Sequence, residues 1–96
     1  YLEYNPQGQV ISEGSYKAGK PNGNWVYKYP FGALLRTCEY KEGQFHGVSK
    51  QYSEKGKLVH ETGYKNGKKE GWEVVYDEKS GKELLRKKYK DGELVN

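Results

Sequence analysis

The sequence predicts an all-β fold. Tandem β-hairpins of about 24 residues lie side by side as an elongated, twisted antiparallel meander, with no helices of note. Two observations carry this expectation. A Tyr-Lys pair recurs at Tyr16-Lys17, Tyr40-Lys41, Tyr64-Lys65 and Tyr89-Lys90, in steps of 24, 24 and 25 residues. Glycine keeps the same beat. Each Tyr is followed three residues later by Gly19, Gly43, Gly67 or Gly92, and preceded eight residues earlier by Gly8, Gly32, Gly56 or Gly81. Three copies add Gly23, Gly47 and Gly71, where the fourth has Asn96. Eleven of the thirteen glycines therefore fall at three repeat positions. Such self-similarity marks a repeat architecture rather than flexible loops.

Each element of the unit follows from its residues. The segment from Gly8 to Lys17 is short, mixes polar and apolar residues and is bounded by Gly, which is a strand signal. An aliphatic residue recurs in it three positions after the early Gly, at Ile11, Leu35, Val59 and Leu84. The run Gly19-Lys20-Pro21-Asn22-Gly23 reads as a turn, because Pro presets one backbone angle and Asn and Gly accept positive φ cheaply. A return strand begins near Asn24-Trp25. A second turn then leads into the next copy, at Pro30-Phe31-Gly32, Glu54-Lys55-Gly56 and Lys79-Ser80-Gly81. The fourth copy carries its extra residue here, where a turn absorbs it. The copies run over approximately 1–23 (partial), 24–47, 48–71 and 72–96, as one domain spanning 1–96.

Composition fits this reading. Leu, Ile, Val and Phe make up only 17 of 96 residues, a supply low enough to raise disorder as an option. The net charge of +4 is modest, however, and ten Tyr and two Trp replace the missing aliphatics. Aromatic rings bury large areas and favour strands. One hairpin alone is marginal. Stacked copies bring Tyr16, Tyr40, Tyr64 and Tyr89 into register as a continuous seam. No stretch approaches the ~20 apolar residues of a membrane helix. The chain opens on Tyr1 and holds no Met, which points to a native start upstream, and a signal or lipoprotein anchor there stays open.

The runs EYKEGQFHG at Glu39–Gly47 and GYKNGKKEG at Gly63–Gly71 resemble the Y-K-x-G-x-x-x-G core of MORN-type repeats. With GKLVHE at Gly56–Glu61, the unit resembles the bacterial MORN-repeat variant, found in proteins described as the antitoxin component of a YwqK-type toxin–antitoxin module. The resemblance spans the chain as four copies. It implies a single-layer sheet or open trough, no catalytic residues, and an extended face offered to a partner. Asn96 and the differing offsets of Trp25 and Trp72 depart from the pattern and bear on how the C-terminal edge closes.

Signatures of catalysis are missing from the sequence. There is no phosphate-binding loop, dinucleotide fingerprint or serine nucleophile elbow. Glu13 and Glu61 share a repeat position with Thr37 and Arg86, as on a solvated face. Cys38 is a single thiol without a nucleophile motif, so it reads as a small strand residue. His46, in a turn, and His60, in a strand, do not make a zinc pattern with it. Neither cofactor nor metal is expected.

What remains is binding. Trp25 and Trp72 are either anchors for a partner, as Trp often is at interfaces, or filling for the trough. Ser12, Arg36, His60 and Leu85 share one phase and differ in type, as on a rigid frame with a variable face. Lys17, Lys41, Lys65 and Lys90 recur at one phase and would line one edge; Arg86-Lys87-Lys88-Tyr89-Lys90 forms a second basic patch. Such lysines can contact anionic headgroups or simply guard a strand edge against aggregation. The expected function is thus a non-catalytic scaffold for protein–protein interaction. Its partner would be a toxin, a cell-surface component or the chain itself, in the bacterial cytoplasm or cell envelope. Attachment to anionic membranes through the lysines is the alternative. A third reading is an accessory domain of a larger enzyme. No nucleic acid is expected, with thirteen acidic residues interspersed.

Overall fold

The computed structural model describes residues 1–95 and is all-β. Ten strands form one antiparallel sheet: β1 (Leu2–Tyr4), β2 (Val10–Lys17), β3 (Lys20–Lys28), β4 (Leu34–Lys41), β5 (Gln44–Phe45), β6 (Gly47–Tyr52), β7 (Leu58–Lys65), β8 (Lys68–Tyr76), β9 (Glu83–Lys90) and β10 (Glu93–Val95). Neighbours in sequence are neighbours in space, with β5 and β6 sharing β4 as partner. This is the expected hairpin meander. The molecule measures 45 × 38 × 14 Å, and two stacked sheets alone would stand about 10 Å apart before their outer side chains are added. It is therefore one open layer. Its radius of gyration of 14.6 Å exceeds the roughly 12.5 Å of a compact domain of this length.

The hairpin tips differ from the expected turn. The chain reverses at Ala18-Gly19, not across Gly19–Gly23, and Lys17 already pairs with Lys20. Ala18 and Gly19 both take positive φ, 53° and 80°, which defines the two-residue type I′ turn that matches strand twist. Glu42-Gly43, Asn66-Gly67 and Asp91-Gly92 repeat it. Lys20, Pro21, Asn22 and Gly23 thus belong to β3. Gly23 keeps a positive φ of 84° because the strand bulges there: Gly23, Asn24 and Trp25 lie opposite Gly14 alone. Gly47 and Gly71 have the same positive φ. Asn96, the fourth-copy counterpart, lies outside the described residues.

The other turns fall where the sequence placed them. Gly8, Gly32 and Gly56 each donate their N–H to the carbonyl three residues earlier. In the fourth copy Gly81 donates to Asp77, four residues back, so the extra residue is absorbed in that loop.

A single layer cannot enclose a core. Only Trp25, Cys38, Val74, Ser12 and Thr62 are buried among the described residues. Stability is spread instead along one face by the tyrosine seam. Tyr16 packs on Trp25 (ring centroids 5.3 Å apart) and Trp25 on Tyr40 (5.9 Å). Phe45 then lies 4.9 Å from both Tyr40 and Tyr64. In the middle of the array the residue paired across the tip from the Tyr fills the gap to the next copy: Phe45 opposite Tyr40 and Lys69 opposite Tyr64. At Tyr89 the filler is the Lys69 ammonium, 4.8 Å from the ring centroid.

The tips are also tied to one another. The turn glycines Gly43, Gly67 and Gly92 donate N–H bonds of 2.9 Å to the carbonyls of Pro21, Phe45 and Lys69 in the preceding hairpin. This is why the glycine phase and the tyrosine phase are locked together.

Candidate interaction surface

The sheet has two faces, and strand alternation sorts the side chains between them. The first carries the seam. A second row crosses it through Ser12, Tyr27, Arg36, Gln51, His60, Val75 and Leu85, joined pair by pair through the strand register. The sequence-variable phase of Ser12, Arg36, His60 and Leu85 is thus one continuous line. Its members have different local partners. Ser12 donates to the Glu3 carboxylate at 2.9 Å. The Arg36 guanidinium lies 5.1 Å from the Tyr27 ring centroid, and Leu85 stands exposed.

His60 belongs to a polar cluster. Its Nε2 is 2.9 Å from Glu73 Oε2, and Lys69 Nζ reaches the same carboxylate at 3.2 Å. Burial opposes ionisation of Glu73, but the bonds from His60 and Lys69 outweigh it and hold its carboxyl below the usual range. Burial would lower the Lys69 pKa, but its own bond to Glu73 raises it. Glu73 follows Gly71 at the offset by which Trp25 follows Gly23. One copy fills this site with an aromatic ring and another with an ion pair.

The two tryptophans part accordingly. Trp25 is 4% exposed, rests on Gly14 and donates its indole N–H to the Ser15 carbonyl at 3.1 Å. It is buried as filling of the seam and presents almost no accessible surface. Trp72 is 47% exposed and lies on the opposite face, because its offset from Gly71 differs from that of Trp25 from Gly23 by one residue.

A small aromatic and cationic platform surrounds Trp72. The Arg86 guanidinium and Lys88 ammonium stand 4.9 and 5.6 Å from its ring centroid. Arg86 is steadied by Glu83, whose carboxylate accepts from Nε at 3.0 Å and also from Nη2. Those bonds hold the Glu83 carboxyl below its usual range. Tyr76 donates its hydroxyl to Glu61, which pushes the phenol pKa up. Val48, 53% exposed, and Val74 complete an apolar floor, and a shallow groove runs among Val48, Glu61, Trp72, Tyr76 and Arg86. Arg86 and Lys88 were visible in the sequence as part of a basic run. Their stacking on Trp72 was not, since it needs the cross-strand pairing of Trp72 with Lys88.

Lys17, Lys41, Lys65 and Lys90 end β2, β4, β7 and β9 and are all exposed. These strands run in the same direction, so the four lie along one rim about 10 Å apart, two strand spacings. Glu42, Asp91 and Glu93 interrupt the rim with opposite charge.

Cys38 is buried, and burial pushes its thiol pKa up against the opposing effect of Arg36. Burial and the raised pKa both disfavour the accessible thiolate that a reactive cysteine presents. Among the described residues no three His, Cys, Asp or Glu side chains converge as metal ligands, and no helix is long and apolar enough to cross a membrane.

A family described as MORN repeat variant matches residues 1–18 and 45–66. These segments, somewhat under half of the chain, hold the first and third Tyr-Lys units, and they support the MORN-repeat character read from the motifs. No curated protein and no solved structure matches the chain significantly.

Proposed function

We propose that this array of units similar to the MORN repeat variant is a non-catalytic scaffold that binds a protein partner on the face around Trp72. MORN repeats are in general protein- or membrane-interaction repeats, so the question is which surface engages what. The observation that carries the reading is the contrast between two tryptophans: one consumed by the seam, the other half-exposed beneath two cations. An exposed Trp framed by Arg on an apolar floor has the composition of a binding hot spot. The frame that holds it is a rigid repeat sheet, the usual design of an extended recognition surface. In its finer form, carried by the resemblance alone, the partner is a bacterial toxin and the scaffold its antitoxin.

A pull-down from the native host tests this, with mass spectrometry at low and high salt. One stoichiometric protein that survives high salt is expected, and a toxin encoded beside the scaffold gene would support the finer form. A second reading, attachment to anionic membrane, is favoured by the four exposed lysines on one rim. It predicts liposome co-sedimentation that salt abolishes, because exposed charges are screened beyond a Debye length. Recovery of lipids alone would move the function to that rim.

A further inference from the structure

The hairpin tips share one backbone, but the side chains around them do not balance their charge equally. At the first tip Lys17 and Lys20 are directly paired across the turn, on the face away from Tyr16 and the seam. Like charges so placed, about 5 Å apart at Cβ, oppose strand pairing. Lys41 joins them from the next tip. The aliphatic stem of Lys20 lies across that tip, since a β-carbon on Gly43 would stand 3.4 Å from its Cβ and Cδ. The three lysines line a notch of about 340 Å³ together with Ala18, Asn22 and Glu42. None of the three takes part in an ion pair among the described residues. Asn22 accepts through Oδ1 from the Glu42 N–H at 3.3 Å, which leaves its amide NH2 group as a further donor. The notch between the last two tips is filled differently. Lys65 and Lys68 pair across their turn in the same way, and Lys90 comes from the next tip. Glu70, however, takes the Asn22 position and accepts from the Asp91 N–H at 3.3 Å. Three lysines there meet two carboxylates, Glu70 and Asp91, whereas Lys17, Lys20 and Lys41 meet Glu42 alone. In the middle notch Gln44 replaces the second lysine. Of the three, the first alone sets three cations and an amide donor against one carboxylate.

We propose that the notch between the first two tips binds the phosphate group of a phosphomonoester. Such a group carries about −1.5 to −2 charge at neutral pH and three strong acceptor oxygens. Those oxygens match the three ammonium groups, and a carboxylate or a phosphodiester, with a single charge, matches them less well. The dianion removes the repulsion between Lys17 and Lys20 that the fold leaves uncompensated. Lys41 closes on it from the second tip, and the Asn22 amide adds a neutral donor. Hydrogen bonds from ammonium to phosphate are charge-assisted, which makes them about twice as strong as neutral ones. The site shares no residue with the surface around Trp72. It also differs from a diffuse attraction along the lysine rim, because it separates the first notch from the last, which has the same three lysines.

Amide NMR of the 96-residue chain, titrated with glycerol 3-phosphate at constant ionic strength, tests the proposal. Saturable shifts are expected at Lys17, Lys20, Asn22 and Lys41, well above those at Lys65, Lys68, Glu70 and Lys90. Lys20→Gln copies the middle notch and Asn22→Glu the last, so the fold accommodates both. Each should weaken binding at least tenfold, and Lys68→Gln should leave it unchanged. Vesicles identify the carrier of the phosphate. Phosphatidic acid exposes a phosphomonoester and phosphatidylglycerol a diester. Sedimentation with phosphatidic acid in preference to phosphatidylglycerol, lost in Lys20→Gln, would place the group on a lipid. Binding of glycerol 3-phosphate without sedimentation would place it on a soluble ester. Absence of saturable shifts together with no preference for phosphatidic acid would overturn the proposal. So would equal shifts at the first and last notches, or equal effects of Lys20→Gln and Lys68→Gln.

Discussion

Gly14→Ala is a small change with a large expected effect, and it isolates the packing that anchors the first half of the seam. A β-carbon on Gly14 would lie 2.0, 2.2 and 2.5 Å from Cδ2, Cε2 and Cγ of Trp25. The clash is with the body of a buried ring, not with the end of a flexible chain. The φ of Gly14 is not in the left-handed region, so the backbone itself has no objection to alanine. Overpacking a filled site costs about 1–3 kcal/mol. Expelling the indole outright approaches the ~3–5 kcal/mol of deleting a buried aromatic. Against this, alanine regains about 0.5–1 kcal/mol of strand conformational entropy. With contacts this close the ring must be displaced, so the net expected loss is about 2–4 kcal/mol, a large share of the roughly 5–14 kcal/mol available to a chain of this length. Urea denaturation of Gly14→Ala, Trp25→Val and the double variant measures it. In the Trp25→Val background the clash has no partner, so Gly14→Ala should be neutral or slightly stabilising. A loss below about 0.5 kcal/mol in the Trp25 protein, or the same loss in both backgrounds, would refute the reasoning, since contacting residues must couple.

Other perturbations have equally definite outcomes. Tyr40→Ala and Tyr64→Ala, each removing a half-buried ring packed against Phe45, should cost about 2–3 kcal/mol in urea melts, and Tyr16→Ala, half-exposed at the end of the seam, about 1 kcal/mol; equal losses for all three would dismiss the seam. Ala18→Asn places a residue tolerant of positive φ where Ala18 sits at 53° and should stabilise by about 0.5–1 kcal/mol, because Asn-Gly is the preferred type I′ pair. The folded pKa of Glu73 lies below its ordinary 4.5. Its contribution is therefore present above that value and lost as pH falls through the folded pKa, and Glu73→Gln should flatten the stability profile in that acid window. Cys38 should resist alkylation in the native protein and react on unfolding, since its thiol is buried and its pKa raised; prompt native labelling would contradict its placement.

Much of this architecture was legible in the sequence because a repeat reports its geometry several times over. Four Tyr-Lys pairs and three glycine phases placed the strands, and the extra residue before Gly81 fell in the loop that the structure lengthens. The tip turn was misplaced by two residues. Pro21 and Asn22 are turn formers by type, yet Pro21 lies across the tip from Tyr16 within β3, and Ala18, a poor resident of positive φ, holds the turn. Sequence pattern ranks residues by preference, while strand register decides which of them the turn must take. Gly14 and Gly63, the two glycines off the repeat phases, were the missed signal. Each marks a close approach, of Trp25 to one and of the Glu70 carbonyl to the other. The face of each Trp turned on a one-residue difference in offset from its glycine, since a single residue in a strand reverses the side-chain direction. The stacking of Arg86 and Lys88 on Trp72 arises between strands, so no linear motif announces it.

The division between a structural seam and a presented face is tested most directly by Trp72→Ala, assayed together for thermal melting and for capture of the host partner. The account predicts a melting temperature within a few degrees of the unsubstituted protein, because Trp72 is half-exposed and its two cations are surface groups, together with loss of the captured protein. Retained capture by Trp72→Ala, or a collapse of stability equal to that of Trp25→Val, would contradict it.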